Sequence, residues 1–145
     1  MITTQGSTSM SVPIDVVFDF LADARNETRW LPGAANVRLT SPEPLGLGST
    51  FTGEYARAGT ITIRLTRYER PNRLTLAGDG KTLRFTDAIE LTPTGSGTAL
   101  SATMTTTPKG LFRLFAPMMA RVIGKQFQSN WDNLKATLES DDFHS

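Results

Sequence analysis

The sequence predicts an α+β domain in which a curved antiparallel sheet wraps around one long C-terminal helix. Three observations lead to this prediction: an amphipathic segment near the N-terminus, a central region of alternating apolar and polar residues, and a final segment with helical periodicity. The chain has 145 residues, enough for one domain with a substantial hydrophobic core. We therefore expect a single domain over residues 1–145.

The N-terminal region combines a polar segment with a helix. Residues 2–10 are rich in serine and threonine and alternate only weakly, which indicates an edge strand or an irregular start. After Pro13, apolar residues follow the spacing of an amphipathic helix at Ile14, Val17, Phe18 and Leu21. This helix should end near Ala22, and residues 23–33 should form a short second helix and a turn.

The central region, up to about residue 107, has the two-residue period of β-strands. Segments rich in glycine and proline separate the alternating runs. There are six such runs, within residues 36–40, 50–55, 61–66, 74–76, 83–91 and 100–104. Six consecutive half-buried strands with short connections predict an antiparallel meander with one face toward solvent.

The C-terminal segment returns to helical periodicity over residues 111–140. A helix of that length would extend roughly 45 Å at 1.5 Å per residue, and its apolar stripe drifts around the cylinder. Pro117 and Gly124 are the positions at which we expect a bend, because proline lacks the amide that a helix interior requires.

The composition excludes several classes of function. The chain has no cysteine and its single histidine is His144, so we expect no disulfide, no Ser-His or Cys-His nucleophile and no metal site. The formal net charge of +1 gives no electrostatic signature for nucleic acid or an anionic membrane. The sequence has neither a signal-peptide pattern nor a bilayer-spanning segment, so we expect a cytoplasmic location. No residue pattern implies a cofactor.

Six sequence phrases occur in a particular order along the chain. They are SVPIDVVFDFLAD, RWLPG, PLGLGSTF, YERPNRL, IELTPTGSGTAL and NLKATLE. Together, over residues 10–140, they resemble the helix-grip (SRPBCC or START-like) superfamily, and within it the bacterial polyketide cyclase/dehydrase and lipid-transport group. The resemblance implies a helix-grip fold with a ligand cavity between sheet and helix. Its members bind lipids, hormones, polyketides or proteins, and only some are enzymes, so it selects no single activity.

Asp87 is the main candidate for a catalytic residue. It shares strand parity with Phe85 and Ile89 and should point inward, where an unpaired carboxylate is costly or has a raised pKa. Such a group suits a general acid or base, or a hydrogen-bond partner for a ligand hydroxyl. The alternatives are a solvated strand end and an ion pair, for which Arg67 is the candidate because it continues the inward parity of its strand.

Several other residues are candidate ligand contacts. The full set is Trp30, Tyr55, Arg67, Phe85, Asp87, Met104, Met119, Gln126 and Asn130. Trp30 and Tyr55 could stack on a flat ligand, and Met119 with its neighbour Met118 could form an adaptable wall. Gln126 and Asn130 lie four residues apart on the helix and could hydrogen-bond a buried ligand. The alternatives are ordinary core packing and solvent-facing positions.

Three hypotheses of function follow. The first is a carrier or binding protein for a small hydrophobic molecule such as a lipid, polyketide or isoprenoid. The second is a cyclase or dehydratase that uses Asp87 as acid or base, with Arg67 or Tyr55 polarising a carbonyl. The third is a protein-interaction module of the chaperone-activator type. Both a monomer and a homodimer are compatible with the sequence.

Overall fold

The computed structural model describes residues 1–140 and has the predicted architecture, a curved antiparallel sheet with a long C-terminal helix. The strands are β1 (Ile2–Met10), β2 (Ala34–Leu39), β3 (Thr50–Tyr55), β4 (Gly59–Glu69), β5 (Arg73–Gly80), β6 (Leu83–Thr94) and β7 (Gly97–Pro108). The α-helices are α1 (Ile14–Ala22), α2 (Glu27–Trp30) and α3 (Ala116–Leu138), and 3-10 segments precede α2 and α3 at Ala24–Asn26 and Gly110–Phe115. His144 lies outside the described residues.

The sheet has the strand order β1-β7-β6-β5-β4-β3-β2, and all neighbours are antiparallel. The six alternating runs are confirmed as strands. The serine- and threonine-rich start of the chain forms a full seventh strand, paired with β7 from Ile2 opposite Thr106 to Met10 opposite Thr98. Its alternation is weak in the sequence because the inward positions between these ends are small or polar: Thr4, Gly6 and Thr8.

A β-bulge in β4 changes the side on which Arg67 lies. Leu65 is opposite Leu76 on β5, whereas Arg67 is opposite Thr75, so one extra residue interrupts the register. Arg67 is exposed and its Nε lies 2.8 Å from a carboxylate oxygen of Glu69. The prediction that Arg67 faces inward toward Asp87 is therefore wrong, because strand parity holds only where the register is unbroken.

The same bulge turns Tyr68 toward the core. Its ring packs edge-on against Phe18 of α1, with ring centroids 5.1 Å apart. Phe18 and Val17 of this helix are completely buried. Helix α1 packs against β6 and β7, so it closes the end of the sheet at which Leu91 and Leu100 lie.

The C-terminal helix begins later than its periodicity predicted. Residues Gly110–Phe115 form a 3-10 segment, and the 23-residue helix α3 starts at Ala116. Pro117 lies in its first turn, where a missing amide costs nothing, and therefore starts the helix instead of bending it.

Helix α3 covers the free edge of β1. Its buried residues all lie from the middle of the helix onward: Phe127, Trp131, Leu134 and Leu138. The side-chain amide of Gln128 donates to the carbonyl of Ser7 at 2.9 Å and accepts from the Ser7 amide at 3.2 Å. Lys135 donates to the carbonyl of Ser9 at 2.6 Å. These bonds satisfy backbone groups that an edge strand otherwise leaves unpaired.

The two helices α2 and α3 connect the opposite edges of the sheet. Trp131 of α3 stacks on Trp30 of α2, with ring centroids 5.5 Å apart and an interplanar angle of 24°. Helix α2 packs in turn against β2, the strand at the other edge. The sheet and its helices thus form a ring with a mainly apolar interior.

Candidate functional site

Asp87 lies in the middle of the inner face of the sheet. It is opposite Leu76 of β5 on one side and Met104 of β7 on the other. Along its own strand, the inward neighbours are Phe85 and Ile89. All four neighbours are apolar, and no ion pair involves Asp87 in the described part of the chain.

Asp87 is half-buried as a residue, and its carboxyl group is incompletely satisfied. Its Oδ1 atom has no hydrogen-bond partner among residues 1–140. Burial, assisted by the nearby charge of Glu27, raises the pKa of Asp87 from 3.8 to about 7. Close to neutral pH this group is therefore divided between a neutral acid, which can donate a hydrogen bond, and a carboxylate, which can only accept one.

Glu27 of α2 supplies a second carboxyl group to the same interior. The Tyr55 hydroxyl donates a hydrogen bond to its Oε1 atom. Part of the Glu27 residue reaches solvent, but its carboxyl is buried. Burial raises the pKa of Glu27 to about 7, although the hydrogen bond from Tyr55 lowers it. Burial and the adjacent Glu27 likewise raise the pKa of Tyr55.

Gly53 allows Tyr55 to take this position. The two residues are both on the inner face of β3, and a Cβ on Gly53 would lie 3.2 Å from Cε2 of Tyr55 and 2.7 Å from Cγ2 of Val37. A larger residue would have to displace both side chains. The missing side chain at Gly53 thus makes room for neighbouring protein atoms.

Two more buried polar atoms without partners lie on this side of the sheet. Thr106 lies opposite Phe85 and is the next inward-facing residue after Met104 on β7. Its Oγ1 atom has no hydrogen-bond partner among the described residues. The indole Nε1 of Trp131 is also unpaired within residues 1–140 and lies over Gly6, where a Cβ would be 3.1 Å from it. Buried polar groups normally have partners, so these unpaired atoms are candidate positions for a hydrogen bond to a ligand or an ordered water.

The predicted contacts are distributed unevenly around the interior. Phe85 and Met104 are half-buried and pack against the core, next to Asp87. Trp30 is buried and stacks on Trp131. This position corresponds to core packing, the alternative to ligand contact that the sequence left open for Trp30.

On α3, the candidate contacts reach the interior only in part. Met119 is half-buried in the first half of the helix. Gln126 is exposed and donates a 3.1 Å hydrogen bond to Oδ1 of the half-buried Asn130. The prediction that Gln126 faces a buried ligand is therefore wrong, because position 126 lies about 100° around the helix from the buried Phe127. Arg67, on the outer face, is likewise not part of this site.

Glu27 and Thr106 belong to the site but are not identified by the sequence pattern. Helix α2 has only four residues, too few to show which of them face inward. Thr106 does share the inward parity of Met104, but threonine is also common on the solvent-facing side of strands.

Two open depressions with volumes of about 360 and 570 Å³ lie on the outer face of the sheet. Most of their lining side chains have the outward strand parity, such as Ser7, Glu90, Arg64 and Arg84. Neither Asp87 nor Glu27 lines either depression. Both depressions are open to solvent and most of their lining residues are polar or charged, so neither is the enclosed apolar site that a hydrophobic ligand requires.

Within residues 1–140, no cluster of three histidine, cysteine, aspartate or glutamate side chains is arranged to hold a metal ion. In the same part of the chain, no helix combines the length and apolar character needed to cross a bilayer.

A curved sheet closed by a C-terminal helix, with a few polar groups on an apolar inner face, defines a START-like helix-grip domain. The family model described as polyketide cyclase / dehydrase and lipid transport matches residues 1–139. The chain therefore belongs to this family. No curated protein matches it.

Solved structures have the same fold at low sequence identity. A START superfamily protein from Mycobacterium smegmatis is 13% identical, with a TM-score of 0.80 over 94% of this chain and 97% of that chain. CalU16 from Micromonospora echinospora is 18% identical, with a TM-score of 0.67 over 98% of this chain and 79% of that one. At these identities the similarity establishes the fold alone.

Proposed function

We propose that the interior of the ring binds one small hydrophobic molecule that carries a hydroxyl or carbonyl group, and that the protein is a carrier or binding protein. The observation that carries this proposal is the unpartnered Oδ1 atom of Asp87 in an apolar setting. An unsatisfied buried polar group costs about 1–3 kcal/mol. A ligand that hydrogen-bonds to Asp87 recovers part of that cost on binding.

The surroundings of Asp87 support a ligand that is mainly apolar. Phe85, Leu76 and Met104 provide hydrophobic contact on three sides. On the first half of α3, Met119 and Ile123 are only half-buried and do not belong to the hydrophobic core. These apolar side chains are available to contact a ligand at that end of the ring.

The protonation behaviour of the two carboxyls supports recognition of an oxygen-containing ligand. A carboxyl with a pKa near 7 accepts a hydrogen bond from a hydroxyl when charged and donates one to a carbonyl when neutral. Thr106 Oγ1, diagonal to Asp87 across β6 and β7, can serve either as donor or as acceptor. The proposed ligand class therefore includes lipid, polyketide and isoprenoid alcohols and ketones.

A pair of isosteric probes tests the polar contact. 2-Naphthol and 2-methylnaphthalene have similar size but differ in hydrogen bonding, and calorimetric titration should show roughly tenfold tighter binding of 2-naphthol by the wild type. Asp87→Leu should remove this preference, whereas Glu90→Gln, on the outer face of the same strand, should keep it. Equal preference in wild type and Asp87→Leu, or no binding of either probe, would overturn the proposal. Native mass spectrometry of protein purified from its own cells would identify a retained ligand.

A second candidate function, an enzyme of the cyclase or dehydratase type, is supported by one specific observation. Asp87 and Glu27 are two carboxyls with pKa values raised to about 7 in one interior, which suits general acid and base catalysis at neutral pH. Tyr55 can polarise a carbonyl only by giving up its bond to Glu27. Arg67 cannot contribute from the outer face.

Proton exchange at an activated carbon tests this alternative without the natural substrate. The wild type should accelerate exchange of the α-hydrogens of 2-tetralone with deuterated water, followed by NMR, and Asp87→Asn should abolish that acceleration. The rate should also depend on pH with a midpoint near 7. If wild type and Asp87→Asn give the same rate as buffer, acid/base catalysis by Asp87 is excluded for this class of ketone and the carrier function is favoured.

A further inference from the structure

Residues 110–125 concentrate the exposed apolar side chains of the protein. Of nine large hydrophobic residues that are exposed in the described part of the chain, six lie in this segment. We call these six residues the apolar ridge: Leu111, Phe112, Leu114, Phe115, Met118 and Val122. Their exposed fractions range from 40% for Val122 to 79% for Leu111. This surface is thus largely in contact with water.

The helical geometry brings the members of the ridge together. In the 3-10 segment, residues three apart align, which pairs Leu111 with Leu114 and Phe112 with Phe115. In α3, Met118 and Val122 are neighbours four residues apart. The ridge is therefore a nearly continuous apolar surface over the 3-10 segment and the first turns of the helix.

The ridge does not contribute to the core. The first buried residue of α3 is Phe127, which follows the end of the ridge. Gly124 also lies on open space, since a Cβ there would meet nothing within 4 Å. Soluble monomers rarely expose a large contiguous apolar patch unless another surface covers it.

The charges around the ridge have one sign. No aspartate or glutamate occurs from residue 91 to residue 131. Arg113, Arg121 and Lys125 are exposed and form no ion pair with any described residue, whereas Lys109 is bonded to Asp79. Arg121 and Lys125 each follow a ridge residue by three positions, so they lie beside Met118 and Val122 on the helix surface. The net charge of +1 for the whole chain conceals this local concentration.

We infer that the apolar ridge and its three free cations dock onto the surface of an anionic phospholipid bilayer. Apolar side chains that enter the headgroup region, with lysine and arginine beside them, are the features of an interfacial membrane-binding segment. A second copy of the chain fits less well, because a two-fold contact between ridges would place Arg113, Arg121 and Lys125 close to the same cations of the partner. The docking itself does not depend on the proposed ligand.

Docking at this site also gives the proposed ligand a route, a step that rests on the proposed function. Met119 and Ile123 lie one position after Met118 and Val122, and both are half-buried. The ridge therefore lies beside two of the half-buried apolar residues that are proposed above as ligand contacts. A hydrophobic molecule could pass between bilayer and interior there with little exposure to water.

Sedimentation with vesicles tests the docking. The wild type should bind vesicles that contain 30% phosphatidylserine more tightly than pure phosphatidylcholine vesicles, and 0.5 M salt should weaken the binding. Combined Arg113→Gln, Arg121→Gln and Lys125→Gln should lower the association constant about 100-fold, since each cation near such a surface contributes roughly fivefold. Leu114→Ser with Phe115→Ser should weaken binding even at low salt.

A matched control separates local from total charge. Arg38→Gln, Arg64→Gln and Arg84→Gln remove the same charge from other exposed positions and should leave vesicle binding within about twofold of the wild type. Equal losses in the two triple variants, or no preference of the wild type for phosphatidylserine, would overturn the inference. The inference would also be overturned if the protein did not bind vesicles and instead formed a homodimer, or a complex with an acidic protein, through Leu114 and Phe115. Circular dichroism confirms that each variant is folded.

Discussion

The hydroxyl of Tyr55 on β3 donates a hydrogen bond to the buried carboxyl of Glu27 on α2. This bond links the short helix to the sheet on the inner side of the ring. Because a buried carboxylate is costly without a donor, the closure of the ring and the ionisation of Glu27 are physically coupled.

Replacing Tyr55 by phenylalanine should reveal this coupling. The bond lowers the pKa of Glu27, so its loss raises that pKa further and penalises the charged form. We expect Tyr55→Phe to lower the free energy of unfolding by about 1–3 kcal/mol at pH 8, and by less at pH 5, where Glu27 is neutral. Urea denaturation followed by tryptophan fluorescence measures both values. Tyr68→Phe, whose ring packs on Phe18, is the control, and equal stabilities of the two variants at pH 8 would contradict the prediction.

The two raised pKa values also predict how stability depends on pH. The pKa values of Asp87 and Glu27 rise from 3.8 and 4.5 to about 7 on folding, so the native state binds more protons than the unfolded state within that interval. The contribution of each group to stability is complete below about pH 4, falls as pH rises to about 7, and then levels off. The slope is at most about 1.4 kcal/mol per pH unit for each group. Urea denaturation between pH 4 and 8 should show this decline.

Asp87→Asn should isolate the contribution of one carboxyl. The amide cannot ionise, so the decline in stability between pH 5 and 7 should become less steep by up to about 1.4 kcal/mol per pH unit. The variant should therefore be more stable than the wild type at pH 8. Asp79→Asn is a suitable control, because Asp79 is exposed and its bond to Lys109 lowers its pKa, so the slope above pH 5 should not change. An unchanged slope in Asp87→Asn would show that this carboxyl does not titrate as described.

The sequence predicts the fold better than it predicts the site. Alternation along six strands and the period of the final helix are repeated signals, so they survive local irregularities. The position of one side chain depends on a single register, and the bulge after Leu65 moves Arg67 to the outer face. Glu27 lies on one turn of helix, where no period can be read.

The close approach of α3 to β1 gives a last prediction, on the role of Gly6. A Cβ at this position would lie 2.7 Å from Cδ1 of Trp131. Trp131 cannot easily move away, because it stacks on Trp30 and meets Phe127 edge-on at a centroid distance of 5.5 Å. Gly6→Ala should therefore lower the free energy of unfolding by about 1–3 kcal/mol.

This loss would occur although alanine is otherwise favoured over glycine within a strand by roughly 0.5–1 kcal/mol. Near-UV circular dichroism should also change, because the displaced Trp131 alters its stacking on Trp30. Gly46→Ala is the matched control, since a Cβ there meets nothing within 4 Å, and it should change stability by less than about 0.5 kcal/mol. If Gly6→Ala were as stable as Gly46→Ala with an unaltered tryptophan spectrum, α3 would not be held against β1 by this contact.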